Sequence, residues 1–202
     1  MIPFVMIIAF IFLFFRAHVT ETVLSVTSKS KFIRIAKDME WGKIRDTHDS
    51  QIISARCPMR TKPLAIVDGT FKGKHIYVLI DVLEGTHHTT TIFIEHDANV
   101  KGPVGITRRA WSDLQQSKIK MGNPVFDRGY EISCSHPEDE KLIKKSLDEG
   151  IQEELIKQYL YLTINPKGVF TKKQSFSKSE VRPMIEVIAR IVDSLNSNTP
   201  VY

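Results

Sequence analysis

The side chains best suited to chemistry crowd into one short stretch: His87, His88, Glu95, His96 and Asp97. Imidazole nitrogens and carboxylate oxygens hold a metal ion when three or four of them converge. The spacing works against that. On a continuous strand His88 and His96 lie about 26 Å apart, at ~3.3 Å per residue. Neighbouring His87 and His88 point to opposite faces of such a strand. Only Glu95 or His96 with Asp97 can gather locally, and two ligands fall short of what metals usually require. No metal and no cofactor is expected, and these residues read as polar strand ends.

A second arrangement involves Asp81, which interrupts the apolar run His75–Leu83 (HIYVLIDVL). If Glu84-Gly85 is a two-residue turn, Asp81 lies opposite His88 on the next strand. A carboxylate–imidazole pair there satisfies itself as a cross-strand contact. It is also half of an acid–base dyad. The other half is missing, because no GxSxG elbow supplies a nucleophile, and GxGxxG, GxxxxGK[ST] and HExxH are absent too. Asp81 and His88 therefore read as a structural pair, with a membrane-bound, hydrolase-like enzyme built on them as the alternative.

The third candidate is basic. Lys72 and Lys74 flank a hairpin tip, and Arg108, Arg109, Lys118 and Lys120 follow later. Together they make a surface for anionic headgroups or an acidic partner, or simply a solvated face. The net charge of +5 is too mild to argue for nucleic-acid binding without a concentrated patch.

The elements that must carry these residues read as α+β. Leu64–Phe71, His75–Leu83 and Thr86–His96 are rich in β-branched and aromatic residues and form an antiparallel meander. Lys72-Gly73 is a two-residue hairpin turn between the first two. Gln51–Cys57 and Gly105–Thr107 are also strand-like, and a helix-like patch runs through Trp111 and Leu114. Arg128–Cys134 reads as a strand beyond a break at Gly122-Asn123-Pro124. Ser135 and Glu138 have the spacing of a capping box for a helix through Leu142, Ile143 and Leu147. Gly150 interrupts that helix, and a second one continues to Tyr159. Asn165-Pro166-Lys167-Gly168 turns a second hairpin. The clearest helix is the last one. Its apolar stripe is Val181, Met184, Ile185, Ile188, Ile191, Val192 and Leu195, and Ser179 is the preferred cap over Ser177.

All of this follows Met1–Phe15, MIPFVMIIAFIFLFF, a run with no charge that ends at Arg16. A spanning helix needs roughly 20 apolar residues, so the run is short, although Ala17, Val19, Val23, Leu24 and Val26 extend it. A cleaved signal peptide fits poorly: no Lys or Arg precedes the run and no small-x-small site follows it. Arg16, Lys29, Lys31, Arg34 and Lys37 lie on its C-terminal side. Positive flanks stay cytoplasmic. The expectation is a single-pass anchor over 1–19 with the N-terminus outside, a stem over 20–28, a cytoplasmic α+β domain over 29–196 and a polar tail over 197–202. Cys57 and Cys134 would then be free thiols. Residues 29–41 read as an amphipathic helix with a basic opposite face, starting near Thr27 or Ser28; it packs on the domain or, as the alternative, lies on anionic headgroups next to the anchor.

The segment GNPVFDRGYEISC at Gly122–Cys134 and the upstream DGTFKGKHIYV carry a resemblance. They are similar to a poorly characterised family of membrane-tethered bacterial and archaeal α+β domains with a G-[DN]-P-x-F-D segment. The resemblance spans about residues 30–195. It implies a fold and a membrane tether and brings no catalytic residues. Within it, Phe126 and Tyr130 read as core aromatics and Asp127 as a brace for the turn. The expected function is a non-enzymatic interaction or accessory-subunit domain, with the lipid bilayer and integral-membrane proteins as partners. An anionic-lipid or ligand-binding module is a further alternative.

Overall fold

The computed structural model describes residues 14, 19, 22–23, 26–42, 44–47, 65–82, 88–108, 119–173 and 176–198. Eight strands form one sheet: β1 (Arg45–Thr47), β2 (Ala65–Phe71), β3 (Lys74–Val82), β4 (His88–Glu95), β5 (Val104–Arg108), β6 (Tyr130–Cys134), β7 (Leu162–Asn165) and β8 (Gly168–Lys173). Their order is β1-β2-β3-β4-β8-β7-β5-β6. Every neighbouring pair is antiparallel. Five helices accompany it among the described residues: α1 (26–38), α2 (Pro124–Gly129), α3 (Asp139–Ser146), α4 (Glu149–Gln158) and α5 (Lys178–Asn198).

Local chemistry fixes the turns. Lys72 and Gly73 both have positive φ, 49° and 77°, as a two-residue hairpin between right-twisted strands requires. Phe71 and Lys74 close that turn as Cα partners. In the second hairpin the Asn165 side-chain oxygen accepts from the N–H groups of Lys167 (2.8 Å) and Gly168 (2.9 Å). At the start of α2, Asn123 caps by accepting from Val125 and Phe126, and Pro124 sits where its missing N–H costs nothing. Asp127 braces the preceding turn by accepting from Met121 N (2.8 Å) and Gly122 N (3.1 Å).

The helices and the sheet share one core. Phe32, Ile35, Ala36 and Met39 of the first helical segment are buried in it, with Trp41 beyond. So is the whole stripe of α5, from Val181 to Leu195. Each such leucine-sized side chain contributes on the order of 2 kcal/mol. A smaller cluster of Ile66, Tyr77, Leu79 and Phe93, with Phe170 against it, forms on the other face of the sheet.

Several boundaries differ from the sequence reading. Residues 26–38 are continuously helical, so no cap forms at Thr27 or Ser28; Thr27 Oγ1 instead donates to the Val23 carbonyl inside the helix. That helix ends in a Schellman motif, with Trp41 N bonded to Ala36 O, Glu40 N to Lys37 O, and Glu40 at φ 53°. Arg128 and Gly129 belong to α2 because Asn123 caps a helix, so β6 starts only at Tyr130. Ser135 caps nothing: its hydroxyl donates to Pro103 O, and the helix starts at Asp139. Gly150 lies inside α4; the break is at Leu147 and Asp148, whose carboxylate accepts from Ile151 N. α5 begins at Lys178, one residue after Ser177, and runs to Asn198, so Pro183 falls in its second turn. Gln51–Cys57, the patch at Trp111 and Leu114, and the Glu84-Gly85 turn lie outside the described residues.

Among the described residues no helix is long and apolar enough to cross a membrane. Most of the apolar N-terminal run lies outside them.

Candidate functional site

The candidate dyad depends on register, and the register is off by one. Asp81 pairs with Thr89, and His88 pairs with Val82. Five residues separate the paired Val82 and His88, where a two-residue turn at Glu84-Gly85 would pair Val82 with His87, so Asp81 and His88 are not opposite each other in the ladder.

The same shift assembles a different group. Asp68 pairs with Tyr77 and Tyr77 with Phe93, while His75 sits opposite Thr70, one step nearer the hairpin tip. His75 is held between two carboxylates: its Nε2 is 3.7 Å from Asp68 Oδ2 and its Nδ1 is 3.3 Å from Glu95 Oε2. Tyr77 Oη lies 3.1 Å from His75 Nδ1 and donates to Glu95 Oε1 at 3.4 Å. The two rings are 4.4 Å apart. Each imidazole nitrogen faces a different carboxylate, so the set ties three strands together instead of converging on one point. Among the described residues no group of three or more His, Cys, Asp or Glu is placed to hold a metal ion.

The other members of the polar stretch go elsewhere. His96 is buried, with Nε2 2.8 Å from Asn165 O and Nδ1 accepting from Ala98 N at 3.1 Å. Burial lowers its pKa, against the opposing effect of the Asn165 hydrogen bond. Asp97 uses its backbone N–H to meet Asn196 Oδ1. His87 lies outside the described residues. Cys134 is a free, half-buried thiol, and burial pushes its pKa up to about 11.

The structure places Lys72 and Lys74 apart from Arg108. Lys74 Nζ is engaged 2.6 Å from Asp193 Oδ1 of α5, and Lys72 lies over the Phe71 ring at 5.3 Å. Arg108 is at the opposite end of the sheet on β5, four strands from β3. At ~4.8 Å per strand that is about 19 Å sideways alone. Its guanidinium stacks 4.7 Å from the centre of the Tyr159 ring. Arg109 and Lys118 lie outside the described residues.

Tyr159 lies between two concavities. It ends α4 in a second Schellman motif, with Leu160 N bonded to Leu155 O and Tyr159 N to Ile156 O. It sits at φ 54°, ψ 40°, left-handed backbone that favours glycine and costs a side-chain-bearing residue roughly 1–2 kcal/mol. Its ring is 62% exposed. On one side of it is a cavity of about 360 Å³ lined by Arg108, Val125, Arg128, Tyr130 and Ile156. Tyr130 closes the back of that cavity: its hydroxyl donates to Leu155 O at 2.7 Å, and burial pushes its pKa up to about 12.

On the other side is a larger cleft of about 610 Å³ between the end of α4 and the start of α5, bordered by Tyr161 just before β7 and by the end of β8. Its volume falls within the roughly 300–1,000 Å³ of small-molecule sites. The apolar lining is Tyr159, Leu160, Tyr161, Phe176, Pro183 and Met184; the polar rim includes Lys157, Lys172, Lys173 and Glu180. Glu180 is committed to the helix start. It accepts from Ser177 N and Oγ, both at 2.8 Å, and from Lys173 Nζ at 2.6 Å, and the Lys173 bond with the Ser177 contacts holds its pKa down to about 2. Lys31 of α1 donates its ammonium to the Phe176 carbonyl, so the N-terminal helix braces the cleft wall. Sequence periodicity missed this site because its walls meet only through the pairing of β7 and β8 and the packing of α4 against α5. The visible signal was a Tyr-Leu-Tyr run directly after a helix.

No family model matches the chain, and no curated protein matches it. A solved structure does: the crystal structure of the mycobacterial trehalose monomycolate transport factor A, TtfA. It superposes with a TM-score of 0.58 at 8% identity, covering 86% of this chain and 98% of that one. The fold resembles that of TtfA. At so low an identity the likeness to TtfA reaches the α+β architecture and stops there.

Proposed function

We propose that this protein is a non-enzymatic, membrane-anchored interaction domain, an accessory subunit held at the cytoplasmic face by its apolar N-terminus. The observation that carries the reading is the path of the first helix. Its C-terminal half is sunk in the domain core through Phe32, Ile35, Ala36 and Met39. Its N-terminal side leads back toward Met1–Phe15, and Phe14, Val19, Val23 and Val26 are exposed apolar residues along the way. Val19, Val23 and Val26 are spaced i, i+4, i+7, one stripe of a helix.

The short apolar run favours helix–helix contacts in the bilayer over a lone span. Integral-membrane proteins are therefore the proposed partners. The lysines and arginines after the run argue for a cytoplasmic domain.

The test is extraction. The full chain should stay with membranes through high-salt and carbonate washes. Replacing Ile8 and Ile11 with Arg should release it. In mild detergent it should copurify with integral-membrane proteins; consistent recovery of a lone monomer contradicts the accessory role.

A further inference from the structure

We infer that the cleft between α4 and α5 binds an anionic lipid drawn from the bilayer, its acyl part against Tyr159, Phe176 and Met184 and its headgroup on Lys172. The inference rests on the proposed anchoring, and it names the ligand class of the domain.

Three observations carry it. The first is position. Lys31 of the helix that follows the apolar N-terminus touches Phe176, a wall of the cleft, while the far end of that helix reaches Trp41, whose carbonyl accepts from Thr70 N at 3.1 Å beside the opposite end of β2. The helix thus passes from the cleft toward the hairpin end of β2, and its N-terminal residues lie on the cleft side.

The second is charge. Of the rim residues, Glu180 is neutralised by Lys173, and Lys157 meets Glu154 at 3.5 Å. Lys172, exposed on β8, has no such counterion among the described residues, which leaves the rim net positive. An ammonium in that position suits one phosphate or carboxylate.

The third is composition. Tyr159 and Tyr161 are 62% and 47% exposed, while Phe176 and Met184 are buried behind them. Exposed tyrosines over buried apolar walls match the gradient of a bilayer interface, where amphipathic rings sit at headgroup level. A strictly aqueous ligand would leave the apolar part of the cleft unused.

The full chain is reconstituted in nanodiscs carrying a trace of phosphatidylglycerol with a photoactivatable group in its acyl chain. Matched discs carry the same group on phosphatidylcholine. The expected result is labelling of the peptides around Tyr159–Tyr161 and Phe176–Met184, at least fivefold stronger with the anionic probe. Lys172→Glu should remove most of that difference and Tyr161→Ala should lower it; both side chains are exposed, so neither change endangers the fold. Equal labelling by the two probes, labelling confined to the N-terminal segment, or indifference to Lys172→Glu overturns the inference while leaving the anchoring intact. Failure of the chain to enter the discs at all overturns the anchoring as well.

Discussion

The ammonium of Lys31 donates to the backbone carbonyl of Phe176, 145 residues away in sequence. This bond fastens the helix behind the apolar N-terminus to the segment that leads from β8 into α5. Replacing Lys31 with Met keeps the aliphatic stem and removes the donor. The expected cost is about 1.5–3 kcal/mol, as for a hydrogen bond with a charged partner. Amide exchange at Phe176 to Glu180 should speed up more than exchange in β3. Uniform exchange across the domain would show that the bond does not brace the cleft.

Tyr159 offers a test in which stability and site separate. Its left-handed backbone is better suited to glycine, so Tyr159→Gly should leave stability level or raise it by up to about 1 kcal/mol. The same change removes the ring on which Arg108 stacks and joins the two cavities. Thermal melting reads the first effect, and lipid photolabelling reads the second as a loss. A clear loss of stability would mean that the ring serves packing more than it serves the cleft.

His96 sets a pH dependence. Unfolded, its imidazole takes up a proton near pH 6.5; folded, burial delays that to lower pH. Between those two values the unfolded chain binds more protons, so stability must fall as pH falls below about 6.5. Urea midpoints measured from pH 7.5 to 5 should decline in the wild type. The decline should be shallower in His96→Gln, which has nothing to titrate at that position. Parallel slopes would remove His96 from the account.

Much of the fold was legible because it is written locally. The Lys72-Gly73 turn, the three-stranded meander and the stripe from Val181 to Leu195 each follow from a short period and a turn pair. The joining of β4 to β8 and the placement of β5 between β7 and β6 carry no such local mark. α5 starts directly after Ser177 and not after Ser179: Ser177 and Glu180 have the spacing of a capping box, and the Glu180 carboxylate reaches back to accept from Ser177 N.

The polar cluster shows how one residue of register decides a site. Once Lys72-Gly73 is a two-residue turn, Asp68 and His75 fall on one face of the β2–β3 ladder. A two-residue turn at Glu84-Gly85 would have set His75 opposite Ile94. The actual register sets Ile76 opposite Ile94, which brings Glu95 to His75 and takes His88 from Asp81. The period of two makes such a slip total for every side chain on the strand.

The most direct test of the anchored arrangement compares two surface positions. Tyr161 lies at the cleft end and Lys72 at the far hairpin tip, separated along the sheet by about 23 Å, from the seven residues of β2 at ~3.3 Å each. Single cysteines, Tyr161→Cys and Lys72→Cys, are placed in a chain with Cys57 and Cys134 changed to Ser, labelled with a fluorophore and reconstituted in vesicles carrying a headgroup-attached quencher. Strong quenching is expected at position 161 and little at position 72. Equal quenching at both, or stronger quenching at 72, would contradict the anchored arrangement.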